Sequence, residues 1–519
     1  LTAPRLAGLV APGKPVQGRS EGILQMHRPF AATLAAAILA ALAGMTQAEA
    51  KDTVTVGMVL EPPGLDPTAG AASAIREVTY ANIYEGLTRI DAKGQVQPDL
   101  AESWAISKDG LTYTFKLIRG VKFHDGTPFT CSIVKFSYER ATAPDSVNAQ
   151  KQLFEPIAKV ECPDDGTAIV TLKRPTALFL FDMGWGDAVM IAPKSAATNV
   201  TAPVGTGPFK FKQWVKGDRV ELVANPDYWG ARPKLSAVTF KFVSDPAAAT
   251  AAVLAGDIDA FPIFPAPEAL DQFKADPRFA VHVGTTEGKT IVALNNARKP
   301  FNDIRVRRAL AYAIDRKQVI EGAQSGYGAP IGSHYVPNDP GYVDLTGRYP
   351  YDPAKAKALL AEAGIKPGFT MTIKLPPPTY ARRGGEVIAA MLAKVGITAK
   401  LEPVEWGQWL EKVFAGTDYD ATIISHTEAR DLDIYAREKY YFNYVSPEYK
   451  ALYKQFVETV DPKTQLDIAG KLQTKLADDE PNVFMFALAK VGVANAKLRG
   501  LWDNDPIPAN DMTGVSWGE

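Results

Sequence analysis

Residues 352–424 alternate helix and strand so regularly that few folds can accommodate them. Asp352-Pro353 reads as an N-cap followed by proline at the first helical position, and Gly364 stands where that helix would end. Between them Ala356, Leu359, Leu360 and Ala363 keep helical spacing. Phe369, Met371, Ile373 and Leu375 then alternate with Thr370, Thr372 and Lys374 as a strand does. Ile388, Met391, Leu392 and Val395 return to helical spacing, and Gly396 stops that helix. A strand at 397–401, a helix at 408–415 and a strand at 419–424 complete the series. Such alternation requires an α/β lobe with right-handed crossovers, in which ligands gather where strands end and loops begin.

A chain of 519 residues is too long for one ordinary core, so at least two lobes are expected. Apolar content of 46%, charged content of 22% and aromatic content of 10% describe a soluble globular protein. A formal charge of −1 argues against a clustered basic footprint for nucleic acid. Only Cys131 and Cys162 occur, which excludes a disulfide-dense scaffold or a multi-cysteine metal cluster. Cys131 opens a predicted helix over 130–140, and Cys162 precedes the turn Pro163-Asp164-Asp165-Gly166. In an oxidising compartment the two form either a disulfide or two buried small hydrophobes; spacing alone leaves both open.

Residues 1–25 are rich in glycine and proline and lack periodicity, which reads as an over-extended start with Met26 as the initiator. From there His27-Arg28, an apolar run over 31–43 and Ala48-Glu49-Ala50 spell a secretory signal peptide, cleaved after Ala50. The run falls well short of the roughly 20 residues a membrane span needs. An exported, soluble product is expected.

Several further stretches read cleanly. Residues 203–230 form a hairpin by period: Phe209, Phe211 and Val215 alternate with Lys210, Lys212 and Lys216, Lys216-Gly217-Asp218 turns, and Val220, Leu222 and Ala224 return. Leu111, Tyr113, Phe115 and Leu117 share one face of a strand, and His124-Asp125-Gly126 is a turn at its end. A helix is expected around 75–84, a strand at 290–295, and a helix capped by Asp303 with Val306, Leu310, Ala313 and Ile314 on one face. Arg305, Arg307 and Arg308 on that helix read as a solvated face or local ion pairs.

GTGPFKFKQWVKGDRVELVANPDYWG, with LAESWAISKDGLTYTFKLIRGVKFHDGTPFT and NNARKPFNDIRVRRALAYAIDR, resembles the signature stretches of the solute-binding proteins of ABC transporters that include the dipeptide and oligopeptide binders (family 5). The resemblance covers nearly all of 51–519. It implies a bilobal α/β periplasmic-binding-protein fold, type II-like, with an extra subdomain in the first lobe and two hinge crossings. Lobe I would occupy 51–296, with the subdomain at about 88–205; lobe II would occupy 297–488; and 489–519 would return to lobe I. It implies a monomeric periplasmic protein that captures a peptide-like solute by hinge closure and presents it to permease subunits in the inner membrane, with no cofactor and no nucleic acid.

Two loops at strand ends are the candidate binding elements. Tyr380-Ala381-Arg382-Arg383-Gly384-Gly385-Glu386 offers arginines near a helix N-terminus, suited to an anionic group. Ser425-His426-Thr427-Glu428-Ala429-Arg430-Asp431-Leu432-Asp433-Ile434-Tyr435 occupies the place of the family's acidic loop, which in peptide-binding relatives meets the ligand's amino end. It departs from the usual Trp with Gly-Asp and Asp-Pro, and Tyr440, Tyr441, Phe442 and Tyr444 follow it. The candidate binding set is therefore Arg382, Arg383, Trp406, His426, Arg430, Asp431, Asp433, Tyr440 and Tyr441. The proline-rich loop 61–67 is either a wall of the cleft or a plain turn. A non-peptide solute (metal chelate, opine or oligosaccharide) is the alternative on the same fold. No G-x-S-x-G elbow, H-E-x-x-H pair or nucleotide loop is present, so a periplasmic hydrolase has no nucleophile or base to nominate.

Overall fold

The computed structural model describes residues 51–459 and 461–518. The start at Met26 and the signal peptide of 26–50 lie outside the described residues. Chain order begins with β1 (Thr53–Met58) and then leaves the main sheet for a smaller antiparallel one. This contains β2 (Ala101–Ile106), β3 (Thr112–Leu117), β4 (Ile157–Asp164) and β5 (Thr167–Leu172), ordered β2-β3-β5-β4. Its inner face comes from period-two alternation: Tyr113, Phe115 and Leu117 bury with Ala168, Val170 and Leu172 against Val134 and Tyr138 of α1 (Cys131–Thr142). A disulfide joins Cys131 to Cys162 with a Cα–Cα distance of 5.6 Å, tying the first turn of α1 to β4.

The chain then returns through β6 (Phe209–Val215), β7 (Arg219–Ala224), β8 (Ala237–Phe242), α2 (Pro246–Ala255) and β9 (Ala260–Phe261). β10 (Phe279–Leu294) follows, then α3 (Ile304–Ala313), α4 (Arg316–Gln324) and β11 (Gly328–Pro330). The alternating region gives α5 (Pro353–Glu362), β12 (Phe369–Leu375), α6 (Thr379–Lys394), β13 (Ile397–Pro403) and β14 (Ala421–His426). Helices α7 (Pro447–Glu458) and α8 (Pro462–Asp479) lead to β15 (Asn482–Asn495). The main sheet runs β13-β12-β14-β10-β15-β9-β1-β8-β7-β6, and β11 pairs with β15.

β10 and β15, of 16 and 14 residues, are the only labelled strands in this order that serve both halves. Towards its end β10 pairs with β14, from Lys289 opposite His426 to Leu294 opposite Ala421. The far end of β15 pairs with β9. Between these two regions the β10–β15 ladder slips, because Thr285 opposes Ala489 and Lys289 opposes Ala487. Thr286, Glu287 and Gly288 thus bulge out opposite Leu488, and Thr286 Oγ1 donates to Leu488 O at 2.8 Å. Such a bulge bends the strand and re-aims its side chains.

Several elements differ from the sequence expectation. The strand expected at 290–295 begins at Phe279, since half-buried residues alternating with Thr and Gly hide its first half. The helix expected around 75–84 spans only Ser73–Thr79, because Tyr80 is extended and Ala81 is left-handed at φ 57°. In the hairpin a register slip between Phe211 and Gln213 inverts the face, so Trp214 packs on the core and Val215 is exposed. Arg307 is buried rather than solvated: Nε and Nη2 donate to Glu480 O and Asp479 O at 2.8 Å each, and Nη1 donates to Phe301 O at 2.9 Å. With Arg308, which donates to Asp478 O at 2.6 Å, it caps the carbonyl end of α8.

The signature stretches meet in one structural knot. Glu85 is buried and accepts from Thr206 Oγ1 and Tyr228 OH at 2.7 Å each and from Trp229 Nε1 at 2.9 Å. His124 uses both ring nitrogens on the same segment, accepting from Gly205 N at 3.3 Å and donating to Gly207 O at 2.9 Å. Burial lowers its pKa to about 4, so it stays neutral. A side chain at Gly205 would place Cβ 1.9 Å from Ile83 O, which only glycine avoids. Removing Glu85 strands one buried donor, Thr206, and two part-buried ones, Tyr228 and Trp229; an unpaired buried donor costs about 1–3 kcal/mol. Glu85→Ala should therefore lower stability by more than about 2 kcal/mol, read as a lower urea midpoint; an unchanged midpoint would contradict this account of the knot.

Candidate functional site

β14 ends at His426, and the loop after it lies where β10 emerges from its bulge. Lys289 is fully buried, and its Nζ lies 2.8 Å from Asp431 Oδ1 while donating to Glu428 O. His334 Nε2 is 3.1 Å from the same oxygen, and His426 Nδ1 is 3.8 Å from Oδ2. Tyr435 OH bonds His334 Nδ1 at 3.0 Å, and Tyr441 OH bonds His426 Nε2 at 2.9 Å. Burial pushes the Asp431 carboxyl up, yet Lys289 above all, with the two histidines, holds it well below the usual carboxylate range. Burial, then His334, lowers His426 to about 3. Asp431 and His426 are therefore engaged within the protein.

The remaining sequence candidates are also placed. Asp433 accepts from Arg437 Nε at 2.8 Å. Arg382 and Arg383 lie on α6 itself: Arg382 reaches Glu405 at 3.3 Å, and Arg383 meets Glu268 of the other half through two bonds of 3.2 and 3.0 Å. Trp406 stacks on Trp409 at 5.3 Å. Tyr440 and Tyr441 pack with Phe414 and Phe442, and Tyr441 is buried. Asp66 of the proline-rich loop caps Thr68 N at 2.9 Å and faces Arg140 at 3.4 Å.

The structure brings Ala429 and Arg430 against the other half of the molecule. Arg430, left-handed at φ 57°, holds its guanidinium 4.3 Å from the centre of the Phe181 ring. Ala429 packs on the cluster of Phe181, Trp185, Trp502 and Ile507. Ala177 N donates to Val457 O at 3.2 Å beside them. Asp182 follows Phe181 on the helical turn Phe179–Asp182; burial and Asp433 push its carboxyl up to about 8, with Arg430 opposing. Glu287 in the bulge is pushed well up by burial and by Asp339, with Lys289 opposing.

Sequence reasoning missed Lys289, His334, Asp182, Glu287 and Asp339. For Lys289 a signal existed, since it is the one charge entering the apolar run 290–294. His334 and Asp182 sit in stretches whose periodicity says nothing about partners distant in sequence.

Two half-sheets carried by one pair of long strands, with a charged loop of one half sealed on an apolar cluster of the other, define a bilobal binding protein. Residues 95–445 match the family described as bacterial extracellular solute-binding proteins, family 5, middle. The chain belongs to that family. It is 36% identical over 384 residues to the glutathione-binding protein GsiB of Pectobacterium atrosepticum, covering 72% of this chain and 73% of the relative. It is 31% identical over 394 residues to the dipeptide-binding protein of Escherichia coli, covering 68% and 72%. The Helicobacter pylori periplasmic binding protein DppA, solved with the peptide STSA, superposes with a TM-score of 0.82 at 25% identity, covering 91% of this chain and 99% of DppA. These relatives are binding proteins.

The Asp182 carboxyl generates a pH prediction. Its pKa rises from 3.8 to about 8 on folding, so its stabilising contribution is complete below about pH 4 and is lost as pH rises to 8. Asp182→Asn should flatten the fall in melting temperature between pH 4 and 8 relative to wild type. Parallel profiles for the two proteins would contradict this.

Proposed function

We propose that the chain is the periplasmic capture component of an ABC importer and that its solute is peptide-like, with a cationic group at one end. The observation that carries the reading is the seat of Ala429 and Arg430 on Phe181 and the neighbouring tryptophans, because a loop at a strand end there closes one half on the other. Asp182 lies within electrostatic reach of Arg430 and Glu428 within that of Asp187, and neither the Glu428 nor the Asp182 side chain makes a hydrogen bond or contact ion pair among the described residues. The Glu428 carboxylate suits an ammonium, the Asp182 carboxyl can ionise beside such a cation, and Arg430 suits an anionic group. The named ligands of the relatives, glutathione and peptides, have that chemistry.

In this reading lobe I comprises 51–296 with 489–519, and lobe II comprises 297–488. They pivot at the bulge where Thr285 and Lys289 face Ala489 and Ala487. The protein acts as a monomer in the periplasm after removal of residues 1–50, delivers the solute to a membrane permease, and performs no chemistry on it.

Mass spectrometry of solute released from the periplasmic protein, followed by calorimetry with that solute, tests the proposal. Losing one buried charge partner costs about 2–5 kcal/mol, whereas an exposed ion pair such as Arg383–Glu268 is worth about 0–1 kcal/mol. Glu428→Gln or Asp182→Asn should weaken binding at least tenfold, about 1.4 kcal/mol, while Arg383→Ala stays within about threefold. If neither carboxylate variant loses more than threefold, the cationic end is held elsewhere. Release of a solute without amide or amino groups would overturn the peptide-like reading.

A further inference from the structure

Beneath the loop that seals the cleft, His334 Nε2, His426 Nδ1 and an Asp431 oxygen lie within 4.8 Å of one another. Their side chains are 0%, 8% and 5% exposed. Each imidazole is oriented from its other nitrogen by a tyrosine hydroxyl, Tyr435 for His334 and Tyr441 for His426. Asn482 Nδ2 donates to Tyr435 OH at 3.1 Å and fixes that hydroxyl in turn. The two rings meet edge to face, 5.3 Å apart.

What the arrangement lacks is hydrogen bonds at its centre. Asp431 Oδ1 is ion-paired with Lys289 at 2.8 Å and lies 3.1 Å from His334 Nε2, but neither contact is an aligned hydrogen bond, and Asp431 Oδ2 is buried without one. The 3.8 Å from His426 Nδ1 to Asp431 Oδ2 is too long for one. Buried polar atoms are ordinarily paired, so ligand-type atoms gathered within 4.8 Å of one another without aligned hydrogen bonds need an explanation. A tetrahedral zinc ion with ligand bonds of about 2.1 Å sets its ligand atoms about 3.4 Å apart. Asp431 Oδ1 is 3.1 Å from His334 Nε2 and Oδ2 is 3.8 Å from His426 Nδ1, so each imidazole meets its own carboxylate oxygen at close to that spacing.

The surroundings suit an ion as well. Metal-bound histidines characteristically hold their second nitrogen on a hydrogen-bonding partner, which fixes tautomer and ring orientation. Lys289 stays on Asp431 Oδ1 as an outer partner, and Glu287 and Asp339 face the same ammonium. Three carboxyl groups thus face one lysine.

We propose that His334, His426 and Asp431 form a site for one resident divalent transition ion, with zinc the occupant that two imidazoles and a carboxylate favour. The site lies within the second lobe and is distinct from the solute's seat. It goes beyond the proposed function and does not depend on the solute's identity.

The test uses the mature chain, stripped with chelator and dialysed against zinc, with bound metal measured by mass spectrometry. One equivalent of zinc should be retained, and cobalt in its place should give the visible spectrum of a tetrahedral nitrogen–oxygen site. His334→Ala and His426→Ala should each weaken zinc binding at least 100-fold. Tyr441→Phe and Tyr435→Phe, which remove only outer partners, should weaken it about 10–100-fold and serve where a histidine variant fails to fold. His282→Ala and Asp182→Asn should retain the wild-type stoichiometry. Failure of the wild type to hold one equivalent would show a hydrogen-bonded core only and overturn the site. Unchanged affinity in the histidine and tyrosine variants would place the ion elsewhere and overturn it equally.

Discussion

β10 and β15 hold each other along nearly their whole length, and everything on either side is hung from that pairing. From Thr290 to Leu294 the strand β10 is buried on both faces, so a slip of one residue would exchange whole sets of core side chains. The bulge at 286–288 releases the ladder between Thr285 and Lys289, and a second, smaller slip follows between Thr290 and Ile291. The bulge also turns Lys289 inwards. A buried ammonium without a counter-charge is strongly destabilising, so Asp431 is drawn beneath it. The loop that carries Asp431 thereby acquires its position, with Ala429 and Arg430 projecting towards the opposite half.

The residues by which the chain resembles its family serve mostly to build this frame. Glu85, His124, Gly205, Tyr228 and Trp229 bind one another through side-chain and backbone hydrogen bonds. Under the proposed reading, solute choice falls instead to the loop at 427–435, where this chain departs from the usual family pattern, and to the apolar surface of Phe181, Trp185 and Trp502 on which it packs. A shared frame with a variable seat accounts for relatives of one fold that bind glutathione and dipeptides.

Much of the fold was legible in the sequence because its signals are local. Asp352 and Asp303 cap the helices assigned to them, accepting from Lys355 N and Arg305 N. Alternation located β3 and β12 correctly. A bulge, by contrast, leaves no local mark, and so Val215 was placed on the wrong face. Arg307 followed the helix periodicity of an exposed arginine, but the carbonyl end of α8, distant in sequence, determines its burial. The candidate site was half legible. The loop at 425–435 could be found from its place after a strand, whereas the partners of its charges come from β10, from residue 334 and from the turn at 179–182. No spacing within the loop encodes those.

Closure of two lobes about the bulge on a captured solute is the central claim, and small-angle X-ray scattering of the mature protein tests it most directly. Addition of the co-purified solute to stripped protein should reduce the radius of gyration, and substituting Arg430 with alanine should diminish that change. An unchanged radius of gyration under conditions where calorimetry shows saturation would contradict hinge closure.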